Sequence, residues 1–195
     1  MSASVSLQQS SAEAPPGGLV WADLSEGILD EIDAAGDPND KLQLIMEAVG
    51  VKHYNDNARS SIMVDFYLYS IIFCDENGFS TAKKSAFFSI MKLVFAHAFD
   101  SASVDEVTSE ASLEFFKQRV LAHSVEAPEE GRAGIFSLSD AKLMVNFVGK
   151  TFYRNFKAYK LCFTTRQGSE KATRYIAVET PMTPNPLDQG DLDGE

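Results

Sequence analysis

The sequence predicts an all-α protein, a compact bundle of about six helices with disordered N- and C-terminal tails. Three observations carry that prediction. Apolar residues recur at spacings of three and four along most of the chain, the pattern of a helix that turns about 100° per residue. Capping residues and glycines stand where these apolar runs begin and end. Val and Ile form no period-two runs outside "RYIAV" at 174–178, so no sheet is expected.

The first helix is expected in "ADLSEGILDEIDAAG", where Asp23 and Glu26 have capping-box spacing and Leu24, Ile28, Leu29 and Ile32 form one face. In the second, Asp37 is the N-cap, Pro38 the first helical residue and Gly50 the stop. A third helix starts near Asn57 or Ser60 and runs to about Glu76, with Gly78 able to take the left-handed conformation that ends helices. It is apolar almost all round, which places it in the middle. Ser80 caps a fourth helix carrying Phe87, Ile90, Met91, Val94 and Phe95, which pairs with the third. Ser103 and Glu106 are a second capping-box pair, opening a fifth helix whose Leu113, Phe116, Val120 and Leu121 line one side. Pro128 to Gly134 breaks the chain.

The last helix opens near Ser137 or Ser139 and is followed through Leu138, Ala141, Val145, Val148, Phe152, Phe156, Tyr159 and Phe163. A turn of about 100° per residue sets the four aromatics within about 60° of one another, with Lys150, Arg154 and Lys157 on the other side. Residues 21–165 are thus read as the helical domain. Residues 1–20, rich in Ser, Gln, Ala, Pro and Gly, and the acidic, Pro-containing 166–195 are read as tails.

Composition narrows the function. Hydrophobic residues make up 45% of 195, enough for one core. A net charge of −11 disfavours free nucleic acid or an anionic membrane as a partner for the whole surface, because phosphate binding needs clustered positive charge. Cys74 and Cys162 lie inside apolar runs and read as small buried hydrophobes. The N-terminus has neither the basic flank nor the apolar core of a secretory signal, and a cytosolic setting is expected. The strongest apolar run, "IMVDFYLYSIIFC", contains Asp65 and falls short of the roughly 20 residues of a membrane span.

No catalytic or metal constellation is assembled. The turn "FCDENGFSTAKK" resembles a calcium loop, but placing Gly78 at loop position six leaves Phe73 and Lys84 where carboxylates are required. The histidines His53, His97 and His123 are far apart, and no phosphate loop or nucleophile elbow is present. No catalytic residue, metal or cofactor is therefore assigned. Asp65, the acid in the middle of the third helix, either meets a partner, Arg154 or a tyrosine hydroxyl, or more easily reaches the surface.

The charge distribution is more informative. From Lys142 to Arg174 stand eight basic residues and one acid, a net of +7, so with −11 for the whole chain the remainder carries −18. Lys150, Arg154, Lys157, Lys160, Arg166 and Lys171 are the candidate docking residues for an acidic partner; the alternative is that this face offsets the acidic helices of its own bundle. Asp65, Phe66, Gly78, Phe152, Phe156 and Tyr159 are the candidate core and register residues.

At Asp65-Phe66-Tyr67, Gly78-Phe79-Ser80, the aliphatic helix that follows, and Tyr153-Arg154-x-Phe156-Lys157-x-Tyr159-Lys160, the chain resembles the C1a-projection subunits of the flagellar central apparatus. The resemblance covers roughly residues 60–165. It implies a non-enzymatic subunit of the ciliary axoneme, docked with a very large scaffold protein, sister small subunits and calmodulin on one microtubule of the central pair, with tubulin reached through the complex. The competing reading is a cytosolic helical adaptor or a calcium-linked regulatory module outside the axoneme.

Overall fold

Short polar side chains set the helix starts by taking up backbone amides that the first turn leaves free. In the computed structural model, which describes residues 18–99, 107–125, 134–164, 171–183 and 186, Ser25 accepts from the Ile28 amide to open α1 (Glu26–Ala34). Asp37 does the same for Asn39 ahead of Pro38 in α2 (Pro38–Val49), and Asn57 for Arg59 at α3 (Ala58–Glu76). Ser80 accepts from Lys83 at the start of α4 (Thr81–Phe99), and Thr108 from Ala111 at α5 (Ser109–Ala122). At α6 (Leu138–Thr151) Ser137 and Asp140 form a reciprocal capping box. A 3₁₀ turn, Tyr153–Asn155, leads into α7 (Phe156–Phe163). No strand occurs among the described residues, and the all-α expectation holds.

The glycine stops are equally local. Gly78 has φ of +65°, its amide bonds the Asp75 carbonyl, and the Phe79 amide bonds the Cys74 carbonyl. This is the Schellman arrangement, closed by the Phe73 and Phe79 rings with centroids 5.7 Å apart. Gly50, at φ +74°, ends α2 in the same way.

α4 is the central helix, packing against α1, α3, α5 and α7, while α2 lies on α1 and α3. The aromatic core gathers where α3, α4 and the last helices meet. Phe99 at the end of α4 lies against Phe95 at 4.9 Å and against Phe152, Phe156, Tyr159 and Phe163 of the last helices at centroid distances of 5.7, 5.4, 6.0 and 5.5 Å. Phe66 of α3 meets Phe95 and Phe152, both at 5.2 Å. In the C-terminal half of α6, Phe147 stacks on Phe73 of α3 at 4.2 Å. Each buried Phe contributes on the order of 2–3 kcal/mol of apolar transfer, so this cluster fixes how the last helices sit.

Several expectations are corrected. The last helix is not continuous: after Thr151 the backbone tightens into the 3₁₀ turn before α7 begins. The Thr151 hydroxyl takes the Phe147 carbonyl at 2.7 Å and the Asn155 side chain takes the Thr151 carbonyl at 2.7 Å, drawing on backbone acceptors at the break. α1 starts at Ser25, and Asp23 instead forms an ion pair with Lys92 of α4. The cap of α5 is Thr108; Ser103 and Glu106 lie outside the described residues. Leu121, Leu138 and Val145 face solvent: the buried residues are Ser112, Phe116 and Val120 on α5 and Asp140, Met144 and Val148 on α6, turned away from them round each helix. Cys74 is buried as expected, whereas Cys162 is exposed. The segment "RYIAV" has no regular structure and is exposed.

Candidate docking surface

The surface is built on the far side of the aromatic core. Phe152 and Phe156 are buried and Tyr159 is half-buried, so the α6–α7 segment is anchored by its rings. Lys150, at the end of α6, Arg154 in the 3₁₀ turn and Lys157 in α7 are exposed. Lys160 is half-buried, and its ammonium donates to the Val107 carbonyl at 3.2 Å, tying α7 to the start of α5. It is therefore engaged inside the fold, unlike the other three. Lys171 is exposed beyond α7, and Arg166 lies outside the described residues.

The cations earlier in the chain are used differently. Lys41 of α2 donates to Asp75 at 2.9 Å, Lys83 of α4 to Asp140 at 2.7 Å, and Lys84 of α4 to both oxygens of Asp33. Lys92 closes on Asp23. Each pair joins elements far apart in sequence. Lys142, Lys150, Arg154, Lys157 and Lys171 form no ion pair among the described residues. Lys157 acts on Glu110 from across the fold: the Glu110 backbone amide and the Ser109 and Thr108 side chains hold that carboxyl below the usual range, with a smaller contribution from Lys157.

Asp65 is half-buried and accepts from the Tyr54 hydroxyl at 2.7 Å. That bond, followed by burial, raises the Tyr54 phenol. The tyrosine alternative is thus the observed one, supplied from the loop between α2 and α3 and not by Arg154. A second hydroxyl pair links α5 to the 3₁₀ turn, Ser112 to Tyr153 at 3.2 Å, with burial pushing the Tyr153 phenol up to about 12.

Other polar groups are committed to structure. Asp75, in the turn that resembled a calcium loop, faces the ammonium groups of both Lys41 and Lys84. Burial raises the Cys74 thiol, leaving it inert as a nucleophile. His123 is buried, its Nδ1 donating to the Arg119 carbonyl and its Nε2 accepting from the Leu19 amide, so it ties the N-terminal segment to α5. No group of three or more His, Cys, Asp or Glu among the described residues is placed to hold a metal ion. No helix among them is long and apolar enough to cross a membrane.

Four of these features escaped the sequence reading: Phe99 as the ring hub, Tyr54, the Lys84 network and His123. Only Lys84 left a signal, a charged residue followed directly by the most apolar stretch of α4.

A family model described as CLAMP, flagellar C1a complex subunit C1a-32, matches residues 69–171. The matched region runs from the middle of α3 through α7 to Lys171, and it includes the Gly78 turn, the central helix and the whole basic face. Asp65, Phe66 and Tyr67 lie just ahead of it. With the match spanning more than half of the sequence, the chain belongs to the CLAMP family of flagellar C1a complex subunits and is a component of the central apparatus of the ciliary and flagellar axoneme.

Proposed function

We propose that the chain is a non-enzymatic adaptor of the C1a projection, supporting axoneme assembly and motility by joining neighbouring subunits. Residues 21–165 form the docking domain in this reading, and 1–20 and 166–195 are its tails. One observation carries it: the exposed cations Lys150, Arg154, Lys157 and Lys171 stand outside any ion pair among the described residues, while the lysines of α2 and α4 are spent on aspartates of other elements. A basic face of this kind, in a chain of net charge −11, steers toward an acidic neighbour and fixes its orientation.

The neighbours in this reading are the large scaffold protein of the projection and its sister small subunits, with calmodulin in the same assembly and tubulin reached through it. The aromatic side of α7 is turned into the core, so calmodulin does not take this helix as an amphipathic target.

The test is a triple charge reversal, Lys150→Glu, Arg154→Glu and Lys157→Glu, expressed in motile ciliated cells lacking the native chain. All three side chains are exposed, so the thermal melt stays close to that of the native protein. The variant is expected to be lost from isolated axonemes and to leave motility impaired. Normal incorporation would sink the electrostatic docking.

A further inference from the structure

The stretch "ETPMTP" beyond α7 holds two Thr-Pro pairs, Thr180 with Pro181 and Thr183 with Pro184, and no other serine or threonine of the chain precedes a proline. Residues 171–183 have no regular structure, and every one of them is exposed. Neither threonine hydroxyl is engaged in a hydrogen bond among the described residues. Thr108, Thr151 and Thr164 differ: the first caps α5, and the other two donate to the Phe147 and Lys160 carbonyls. Proline also sets the local backbone, because its ring keeps the preceding residue out of the α region and in extended or polyproline conformations. Pro181 acts on both sites, restricting Thr180 and holding a fixed φ two residues before Thr183.

We propose that Thr180 and Thr183 are phosphoacceptors of a proline-directed Ser/Thr kinase. Such a kinase takes its substrate as an extended strand, and a pocket that offers no acceptor to the backbone N–H of the next residue favours proline, which has none. In the transfer the threonine Oγ attacks the γ-phosphorus of a nucleoside triphosphate held by the kinase. An Oγ–P bond forms, the bond to the β,γ-bridging oxygen breaks, its electron pair leaves with the nucleoside diphosphate, and the hydroxyl proton passes to the kinase's base. Thr173 shares the exposure but is followed by Arg174, so Pro181 and Pro184 set the class of kinase. Lys171 and Arg174 against Glu179 leave residues 171–183 at +1, and each phosphate adds roughly −1.5 to −2 near pH 7, so two turn the segment to about −2 to −3. Lys171, one of the docking cations, then belongs to an anionic stretch. On the docking reading above, on which this consequence rests, phosphorylation repels the acidic neighbour and releases the chain.

The test starts with the full chain, magnesium ATP and a purified mitogen-activated protein kinase, the sites being mapped by mass spectrometry. Expected is phosphate on Thr180 and Thr183, with Thr173 modified at least about tenfold more slowly, the factor that an unpaired amide in the kinase pocket is worth. Pro181→Ala and Pro184→Ala should each slow the threonine directly before it by a similar factor, with an unchanged thermal melt. No uptake, uptake only elsewhere, or uptake that ignores the prolines overturns the site. In motile ciliated cells the phosphopeptide should be enriched in the soluble pool over isolated axonemes. Its absence from both pools also overturns the site; equal or greater abundance in axonemes overturns the release. The kinase reaction contains no partner, so its failure leaves the docking reading standing. Normal incorporation of the triple charge reversal, with both threonines phosphorylated, removes docking and release but keeps the site.

Discussion

Lys84 donates to both carboxylate oxygens of Asp33, at 2.7 and 2.8 Å, from a side chain that is almost wholly buried. The same ammonium lies 2.6 Å from Asp75 Oδ1 as an ion-pair contact, and Asp75 Oδ2 takes Lys41 at 2.9 Å. Four charged residues therefore tie α1, α2, α3 and α4 together around one buried lysine.

Replacing Lys84 with Ala should destabilise the fold by about 2 kcal/mol, less than the 3–5 typical of a broken buried pair, because Asp33 and Asp75 keep enough exposure to rehydrate. Burial works against the Lys84 ammonium, but its bonds to Asp33 and Asp75 outweigh that and raise it above the usual lysine value. Asp75 moves the other way: burial is offset by Lys84 and Lys41, which hold its carboxyl below its ordinary range. The sign follows. The lysine component is fully present below about pH 10.5 and lost as pH rises through the folded value, while the aspartate component is present above about pH 3.8 and lost as pH falls through its folded value. Urea titrations at pH 7 should show the 2 kcal/mol loss in Lys84→Ala; an unchanged midpoint would show that the network contributes no net stability.

Gly78 tests the most local feature of the fold. Its φ of +65° lies where a Cβ is strained, although the space around it is open. Gly78→Ala should therefore cost about 1 kcal/mol through backbone conformation alone. A thermal melt would detect this, and a neutral result would mean that the turn between α3 and α4 relaxes at no cost.

That turn was legible in the sequence because Gly78 and Ser80 each act on their own backbone neighbours. The break after Thr151 was not, since one 3₁₀ turn scarcely disturbs an apolar pattern of threes and fours. Leu138 and Val145 fitted the same pattern yet face solvent: a period defines a stripe, and only the neighbouring helices decide which part of it is covered. The basic face shows the same division. Lys150, Arg154 and Lys157 follow from helical spacing, whereas the engagement of Lys160 with Val107 depends on where α5 starts, which was expected several residues earlier. Asp65 allowed a tyrosine partner but did not say that Tyr54, eleven residues upstream in a loop, would be that residue.

His97 gives the chain a pH response at the acid side of neutrality. Its ring stacks on Phe115 at 4.3 Å, and the Arg119 guanidinium lies 4.8 Å from that same Phe ring. Burial first, and the Arg119 charge second, lower its pKa below the ordinary 6.5. An imidazole kept neutral by folding contributes nothing adverse above the unfolded value, and stability falls as pH drops below it toward the folded value. The urea midpoint should decline as pH falls through about 6.5, and His97→Phe, which preserves the stack, should flatten that part of the profile. An identical slope in the variant would assign the response to another group.

Phe156 separates the two sides of the last helix. Its ring is 4% exposed and lies 5.4 Å from Phe99 and 5.7 Å from Phe152, so the position is held by the aromatic core. Phe156→Asp places a carboxylate among aromatic rings, a cost of several kcal/mol against a total stability on the order of 5–15. The expected result is loss of the cooperative circular-dichroism melt. Phe156→Leu keeps an apolar group and should cost about 1–2 kcal/mol while leaving Arg154 and Lys157 where they are. The leucine variant should then still enter axonemes, whereas the charge-reversed chain should fold and fail to enter. A folded Phe156→Asp protein would mean that α7 is detachable from the core.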